Sequence, residues 1–335
     1  MRSNPTLRPA PVPDLLSLVI PVFNERESLP ILFDEIVESV RSLGGMQTEV
    51  IFVDDGSTDG SWEVIRELTA VDPRVRGVRF RKNFGKAAAL AAGFARTSGS
   101  VVMTLDADLQ DDPHEIPRFL AAVKSGTDVV SGWKKIRHDP WHKVLPSRFF
   151  NWIVSRVTGV KLHDHNCGFK AYRAEVVREV RLYGEFHRFI PVLADAEGFS
   201  VGELVINHRP RKFGYSKFGT RRFIKGFLDL ITVKMLTGFG RRPKHFLGSF
   251  GLIAALIGVF GTIICVSLAS LGLSEEWTRS AFFTVAIGFV FSLVALLIGV
   301  QAFLAGLLAE YALARTATDE PYRIAEALPE PPTAP

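Results

Sequence analysis

The chain has 335 residues, 47% of them hydrophobic, enough for one core of ordinary domain size and a substantial remainder. Its formal net charge of +5 comes from basic residues that bunch ahead of two long apolar segments, which points to anionic lipid head groups and away from nucleic acid. Two cysteines, Cys167 in the part read as soluble and Cys265 within an apolar segment, leave no expected disulfide and no zinc-type spacing.

In chain order, residues 1–14 are proline-rich and carry no apolar stretch of signal-peptide type, so a disordered tail is expected on the side of synthesis. Residues 15–215 alternate short apolar runs with segments whose apolar residues recur at three- and four-residue steps. The runs Leu16–Val22, Glu49–Val53, Val75–Phe80, Val101–Leu105 and Asp128–Gly132 read as strands. Between them "ESLPILFDEIVESVRSL", "GSWEVIRELTA", "GKAAALAAGFART" and "HEIPRFLAAVKS" read as helices. This is the pattern of an α/β fold with a mostly parallel sheet, in which ligands bind beyond the carboxyl ends of the strands. Three polar stretches fall there: Asn24–Glu25, "DDGSTD" and "DADLQDD". No G-x-G-x-x-G follows the first strand and no G-x-x-x-x-G-K-[ST] occurs, which disfavours a dinucleotide fold and a phosphate-loop ATPase.

The stretch "VVMTLDADLQDDP" concentrates Asp106, Asp108, Asp111 and Asp112 after one of these strands. Helix capping before Pro113 accounts for Asp111 and Asp112. Asp106 and Asp108 alternate across a strand end and push two carboxylates toward one crevice, where their repulsion calls for a cation. Hard oxygen ligands suit Mg²⁺ or Mn²⁺ bridging a nucleotide diphosphate.

Residues 216–245 alternate basic and apolar positions ("RRFIKGFLDLITVKML") and are expected to form interfacial helices. Phe246–Ser274 and Ser280–Ala309 contain no Asp, Glu, Lys or Arg, and each exceeds the ~20 residues that span a bilayer, so 246–309 reads as a transmembrane hairpin. Lys and Arg crowd the approach to the first span, so residues 15–215, both termini and a tail at 310–335 are expected on the cytoplasmic side of the cell membrane. Ala254 with Gly258, and Ala302 with Gly306, are spaced for close helix packing and homo-oligomers.

Taken together, "SLVIPVFNE", "VDDGSTDGS", "NFGKAAALAAGF", "TLDADLQDDP", "NCGFKAYR" and "HRPRKFGYSKFG" resemble, in that order, the glycosyltransferase family 2 enzymes of GT-A fold. More narrowly, they look like the polyprenyl-phosphate, dolichol-phosphate type sugar transferases that carry a small membrane hairpin after the catalytic domain. The likeness runs from Leu16 to Ala309 and implies a nucleotide-sugar-binding, Rossmann-like domain.

By that resemblance, Pro21, Asn24 and Glu25 would line the nucleotide, and Asp55 would accept a hydrogen bond from its base. Asn83 and Lys86 would sit at a helix N-terminus suited to the donor's anion. Asp108 would be the direct metal ligand, Asp106 would lie nearer the ribose or sugar, and Gln110 would face the sugar or the metal shell. Asp164 and Lys170 would face the acceptor, a surface lysine being the plainer alternative for Lys170. Arg211, Ser216 and Lys217 would form a basic loop closing over the diphosphate and meeting the acceptor, with a membrane-facing charge run as the competing reading.

The implied activity is inverting transfer of one sugar, UDP-glucose being favoured over GDP-mannose as donor, to undecaprenyl phosphate. Because a phosphate acceptor is already ionised, Asp164 is expected to orient it and not to abstract a proton. A processive polysaccharide synthase would carry Q-x-x-R-W, which is absent. A non-catalytic binder of nucleotides or lipid head groups is the remaining rival.

Overall fold

The first strand, β1 (Val12–Val22), is apolar along nearly its whole length because both of its faces are covered. Leu16, Leu18 and Ile20 point into one core and Val19 into another, the two-residue alternation of a pleated strand. The computed structural model describes residues 12–136, 141–180, 182, 184–213, 221–238 and 324–328, with single helical positions at 290, 297 and 308.

From β1 the chain runs through α1 (Leu29–Arg41), β2 (Gln47–Asp54), α2 (Ser61–Val71), β3 (Val75–Phe80), α3 (Lys86–Phe94), β4 (Gly99–Thr104), α4 (Ile116–Lys124) and β5 (Val129–Trp133). Then follow α5 (Trp141–Thr158), β6 (Lys170–Arg173), α6 (Ala174–Glu179), α7 (Ile190–Ala196), β7 (Val201–Val205), α8 (Arg221–Gly238) and β8 (Ile324–Leu328). The strands form one sheet in the order β7-β5-β6-β4-β1-β2-β3-β8. Pairs β1–β2, β1–β4, β2–β3 and β5–β7 are parallel, while β6 lies antiparallel between β4 and β5. Strand order therefore reverses at β1 and β4, and the crevice outside their carboxyl ends is where such sheets bind ligands.

Helices α1, α2 and α4 cover one face through Leu32, Ile36, Trp62, Ile65, Phe119 and Leu120. On the other face α3 presents Ala88, Ala89 and Ala92 to β2 and β3, and Leu90 and Phe94 to Val19 and Val102. The small side chains have a reason. Helix α3 sits so close to β1 that a Cβ on Gly93 would lie 2.3 Å from Val19 Cγ1, and that depth of seating brings its first residue, Lys86, to the crevice.

Three features differ from the sequence reading. Strand β1 starts at Val12, inside the stretch expected to be a tail, with a register shift between Val12 and Leu16 that carries Asp14 at φ 55°. Strand β4 ends at Thr104, so Asp106 and Asp108 stand on the loop beyond it and do not alternate across a strand end. Residues 324–328, expected to belong to a tail, form β8 antiparallel to β3, pairing Gly77 with Leu328 and Val78 with Ala327. That pairing covers what would otherwise be an open sheet edge.

The chain divides into two compact units, 1–233 with 319–335, and 234–318. The hairpin expected at 246–309 lies outside the described residues apart from the three single positions. Among the described residues, no helix is long and apolar enough to cross a membrane. Helix α8 falls within the expected interfacial stretch. It buries Leu230 and Val233, exposes Phe227 and Leu228, and brings Gly226 against Phe150 of α5. On α5 itself Leu145, Phe149 and Trp152, at steps of four and three, form an exposed apolar stripe beside Arg148 and Arg156.

Candidate active site

The turn after β1 is locked to the turn after β2. Asn24 takes a positive φ of 53°, which Asn tolerates better than most residues, and its Oδ1 accepts the Thr58 N–H at 2.9 Å. The Asn24 N–H donates to Ser57 Oγ and the Glu25 N–H to Ser61 Oγ, both at 2.9 Å. Pro21 lies just inside on β1, opposite Val53 of β2.

Asp54 accepts the Ser57 N–H and so shapes its own turn. The neighbouring Asp55 accepts the backbone N–H groups of Phe84 at 2.6 Å and Gly85 at 2.9 Å, one on each oxygen. Burial pushes its carboxyl up to about 6, against the pull of those two amides. Asp55 thus anchors the "NFGK" loop, a role the sequence reading did not give it. Asn83 is exposed on that loop, and Lys86 opens α3 with its ammonium on Asp106 Oδ1.

In the acidic loop three carboxylates each meet one cation: Asp106 with Lys86, Asp108 with Arg211, and Asp111 with Lys134. A Cβ on Gly168 would lie 2.5 Å from both Asp106 carboxylate oxygens, so that carboxylate rests on the glycine's bare backbone. Asp108 Oδ1 accepts the Gln110 N–H at 3.1 Å, and its Oδ2 takes Arg211 Nη2. Glu25 Oε1 stands 3.5 Å from Arg211 Nη1, which ties the end of β1 to the acidic loop. Burial opposes the Asp106 charge, but Lys86 and Lys134 outweigh it and hold the carboxyl below its ordinary value. Burial and the charge of Asp106 push Asp108 the other way, up to about 6, and Arg211 offsets this only in part.

Asp112 is the cap before Pro113, accepting the His114 N–H at 3.1 Å. Asp111, expected to share that role, instead lies fully buried 2.8 Å from Lys134 Nζ. Burial works against the Lys134 charge, and Asp111 reverses the effect and raises its pKa.

On the acceptor side expected from the resemblance, Asp164 is buried, with its Oδ1 accepting the Asn166 N–H at 3.1 Å. Lys170 is buried as well. Its ammonium donates to the carbonyls of Cys167 and His165, which removes the surface-lysine alternative. Ser216 and Lys217 lie outside the described residues.

Sequence reasoning passed over four residues that build this crevice. Lys134 stands one residue past β5, where the strand-end rule would have found it. Gly168 sits inside a motif already noted. His208 pairs with Asp111 in an isolated antiparallel bridge. Arg209 donates its N–H to Gln110 O at 2.9 Å and its guanidinium to both Glu35 oxygens and to Asp112.

Among the described residues, no group of three or more His, Cys, Asp or Glu side chains could hold a metal by itself. Two carboxylates, Asp106 and Asp108, with the amide of Gln110 beside them, suit an ion such as Mg²⁺ that takes only one or two carboxylates and completes its shell with water and phosphate oxygens. The donor set therefore fits a hard cation that arrives with a diphosphate.

Residues 17–181 match the family described as glycosyl transferase family 2. The chain is 37% identical over 306 residues to an undecaprenyl-phosphate 4-deoxy-4-formamido-L-arabinose transferase of Aeromonas hydrophila, covering 91% of this chain and 90% of the relative. It is 38% identical over 242 residues to a dodecaprenyl-phosphate galacturonate synthase of Rhizobium johnstonii, covering 71% of each. The fold is similar to that of glucosyl-3-phosphoglycerate synthase from Mycobacterium tuberculosis, solved with Mn²⁺, UDP and phosphoglyceric acid: the TM-score is 0.51 at 19% identity, over 67% of this chain and 78% of that one. With its acidic loop at the reversal of a GT-A-like sheet and a relative matched nearly end to end, the chain belongs to glycosyl transferase family 2, among the polyprenyl-phosphate sugar transferases.

Proposed function

We propose that the chain transfers a single sugar, with inversion, from a nucleotide diphosphate sugar to undecaprenyl phosphate at the cytoplasmic membrane face. The observation that carries this reading is the pairing of Asp106 with Lys86 and of Asp108 with Arg211 in the crevice where strand order reverses. Asp106 and Asp108 would hold Mg²⁺ or Mn²⁺, which when bound supplies electrostatic stabilisation of a diphosphate leaving group. Lys86, at the N-terminus of α3, and Arg211 offer positive charge to the same diphosphate. Asp55 keeps Lys86 in place through the "NFGK" backbone. Asp164 and Lys170 stiffen the neighbouring acceptor side, and no proton need leave an ionised phosphate.

Membrane attachment is part of the reading. The exposed Leu145, Phe149 and Trp152 stripe, flanked by Arg148 and Arg156, supports contact of α5 with an anionic lipid surface. The hairpin at 246–309, the cytoplasmic placement of both termini and the homo-oligomer remain proposals from sequence.

The relatives are named for 4-deoxy-4-formamido-L-arabinose and for galacturonate, so the donor is best sought among sugars wider than the glucose that the sequence favoured. Full-length protein in detergent, with undecaprenyl phosphate and Mn²⁺ or Mg²⁺, is offered labelled UDP-glucose, GDP-mannose and the UDP-linked forms of the relatives' sugars. An organic-soluble product that disappears on chelation is expected with one of them. A long water-soluble polymer, or nucleotide binding without turnover of any donor, would overturn the reading.

A further inference from the structure

The Arg211 guanidinium sits among oxygens of three side chains: Asp108 Oδ2, Gln110 Oε1 at 3.5 Å and Glu25 Oε1 at 3.5 Å. The second Asp108 oxygen is engaged by the Gln110 N–H. The one Asp108 oxygen that backbone does not hold therefore belongs to Arg211, in a charge-assisted bond of the strong class. A cation on this oxygen would stand within a few ångströms of the guanidinium's own positive charge, which sets the two in competition for it.

Arg211 is also delivered to Asp108 from a fixed point. Two residues earlier Arg209 is held by both Glu35 oxygens, by Asp112 and through its N–H by Gln110 O, and His208 is bridged to Asp111. The strap that carries Arg211 is thus fastened to the same loop that carries Asp108. Among the described residues, the partners of the Arg211 side chain itself are the three acceptors above. Such an arrangement has a use. Asp106 and Asp108 lie side by side in a partly desolvated crevice, where two uncompensated carboxylates would repel each other strongly.

Resting on the metal-dependent reading above, we propose that Arg211 is a built-in rival of the divalent cation for Asp108, each taking the carboxylate in turn. With Asp108 given over to a cation, the Arg211 guanidinium would stay tethered by the strap beside the crevice and would be available to a diphosphate arriving with the ion. Asp108 remains paired throughout. Two couplings follow. Cation and nucleotide diphosphate favour each other's binding, because the diphosphate gives the displaced Arg211 a new partner, and the coupling is reciprocal. Removing the guanidinium should then strengthen cation binding to the protein without nucleotide, opposite to what loss of a simple ligand-binding residue would do.

The test measures Mn²⁺ binding to the full-length protein in detergent by the paramagnetic resonance signal of free Mn²⁺, with no nucleotide present. Arg211→Gln is expected to raise Mn²⁺ affinity by about fivefold or more, the lower range of ordinary coupling effects. Arg211→Lys, which keeps a charge but loses the planar fork, should fall between wild type and the Gln variant, and it decides the matter by the same measurement if the Gln variant does not fold. Arg74→Gln, which removes the same charge from an exposed pair with Asp72, controls for net charge and should leave affinity unchanged. Equal or weaker Mn²⁺ binding in the Arg211 variants, with wild type binding Mn²⁺ normally, overturns the rivalry alone. Failure of every form to bind Mn²⁺, with or without UDP, overturns the metal-dependent reading instead.

Discussion

Two parts of the crevice neutralise their carboxylates in different ways. At the ends of β1 and β2, Asp54 and Asp55 are answered chiefly by backbone N–H groups of Ser57, Phe84 and Gly85. In the loop after β4, Asp106, Asp108 and Asp111 are answered by the side chains of Lys86, Arg211 and Lys134. Backbone donors cannot leave without unfolding a turn, whereas a long cationic side chain can change rotamer. The first half is therefore scaffold, and the second is able to exchange partners when an ion or an anion arrives.

Substitutions can break that contrast, starting with the largest effect. Asp108→Ala should abolish transfer of labelled sugar to the lipid, a loss of about a thousandfold or more of the kind seen when a main electrostatic element is removed, while the thermal transition stays sharp. Retained turnover would undo the metal assignment. Gly168→Ala places a methyl where the Asp106 carboxylate lies. A displacement of about 1 Å in that carboxylate should lower kcat by about a hundredfold, and an unchanged rate would mean that Asp106 can move freely.

Lys134→Met tests the one exchangeable pair with a fully buried carboxylate. Leaving Asp111 buried beside an apolar side chain should cost about 3–5 kcal/mol of stability, read by denaturant unfolding. Lys134→Met combined with Asp111→Leu should recover most of the loss, and failure to recover would show that the pair is not the cause.

The smallest effect belongs to the scaffold half. Burial pushes the Asp55 carboxyl from the ordinary 3.8 up to about 6. Between those values the folded state binds more protons than the unfolded one, so this group's contribution to stability falls as pH rises through that window and is level above it. The shift corresponds to about 3 kcal/mol. Asp55→Asn lacks the titration, so the stability difference, wild type minus variant, should be greatest near pH 4 and decline toward pH 7. A flat difference would mean that Asp55 is not desolvated.

How much of this could be read beforehand depends on sequence distance. Helices α1 to α4 and strands β1 to β5 were legible because their periodicity is local, and β3 was placed to the residue. The strand-end rule also gathered Asn24, Asp55, Asp106 and Asp108 around one crevice, and the family resemblance added Lys86. Strands β6, β7 and β8 were not anticipated. At four or five residues each they carry little pattern, and β6 is defined by antiparallel neighbours remote in sequence. The cap expected at Asp111 failed for a similar reason: its partner Lys134 is supplied by another strand. Likewise Arg211 and Asp108 are separated by 103 positions, so a basic loop and an acidic loop were both visible but their ion pair was not.

Strand β8 constrains how this polypeptide can be threaded through a lipid sheet. The chain departs from α8 at Gly238 and is hydrogen-bonded again to the edge of β3 from Ile324 onward. Strands β3 and β8 share one sheet and therefore one compartment, so any entries into a bilayer by the chain between them must equal its exits. An odd number of crossings would leave β3 and β8 on opposite sides and unable to pair, whatever the hydropathy of the intervening stretch.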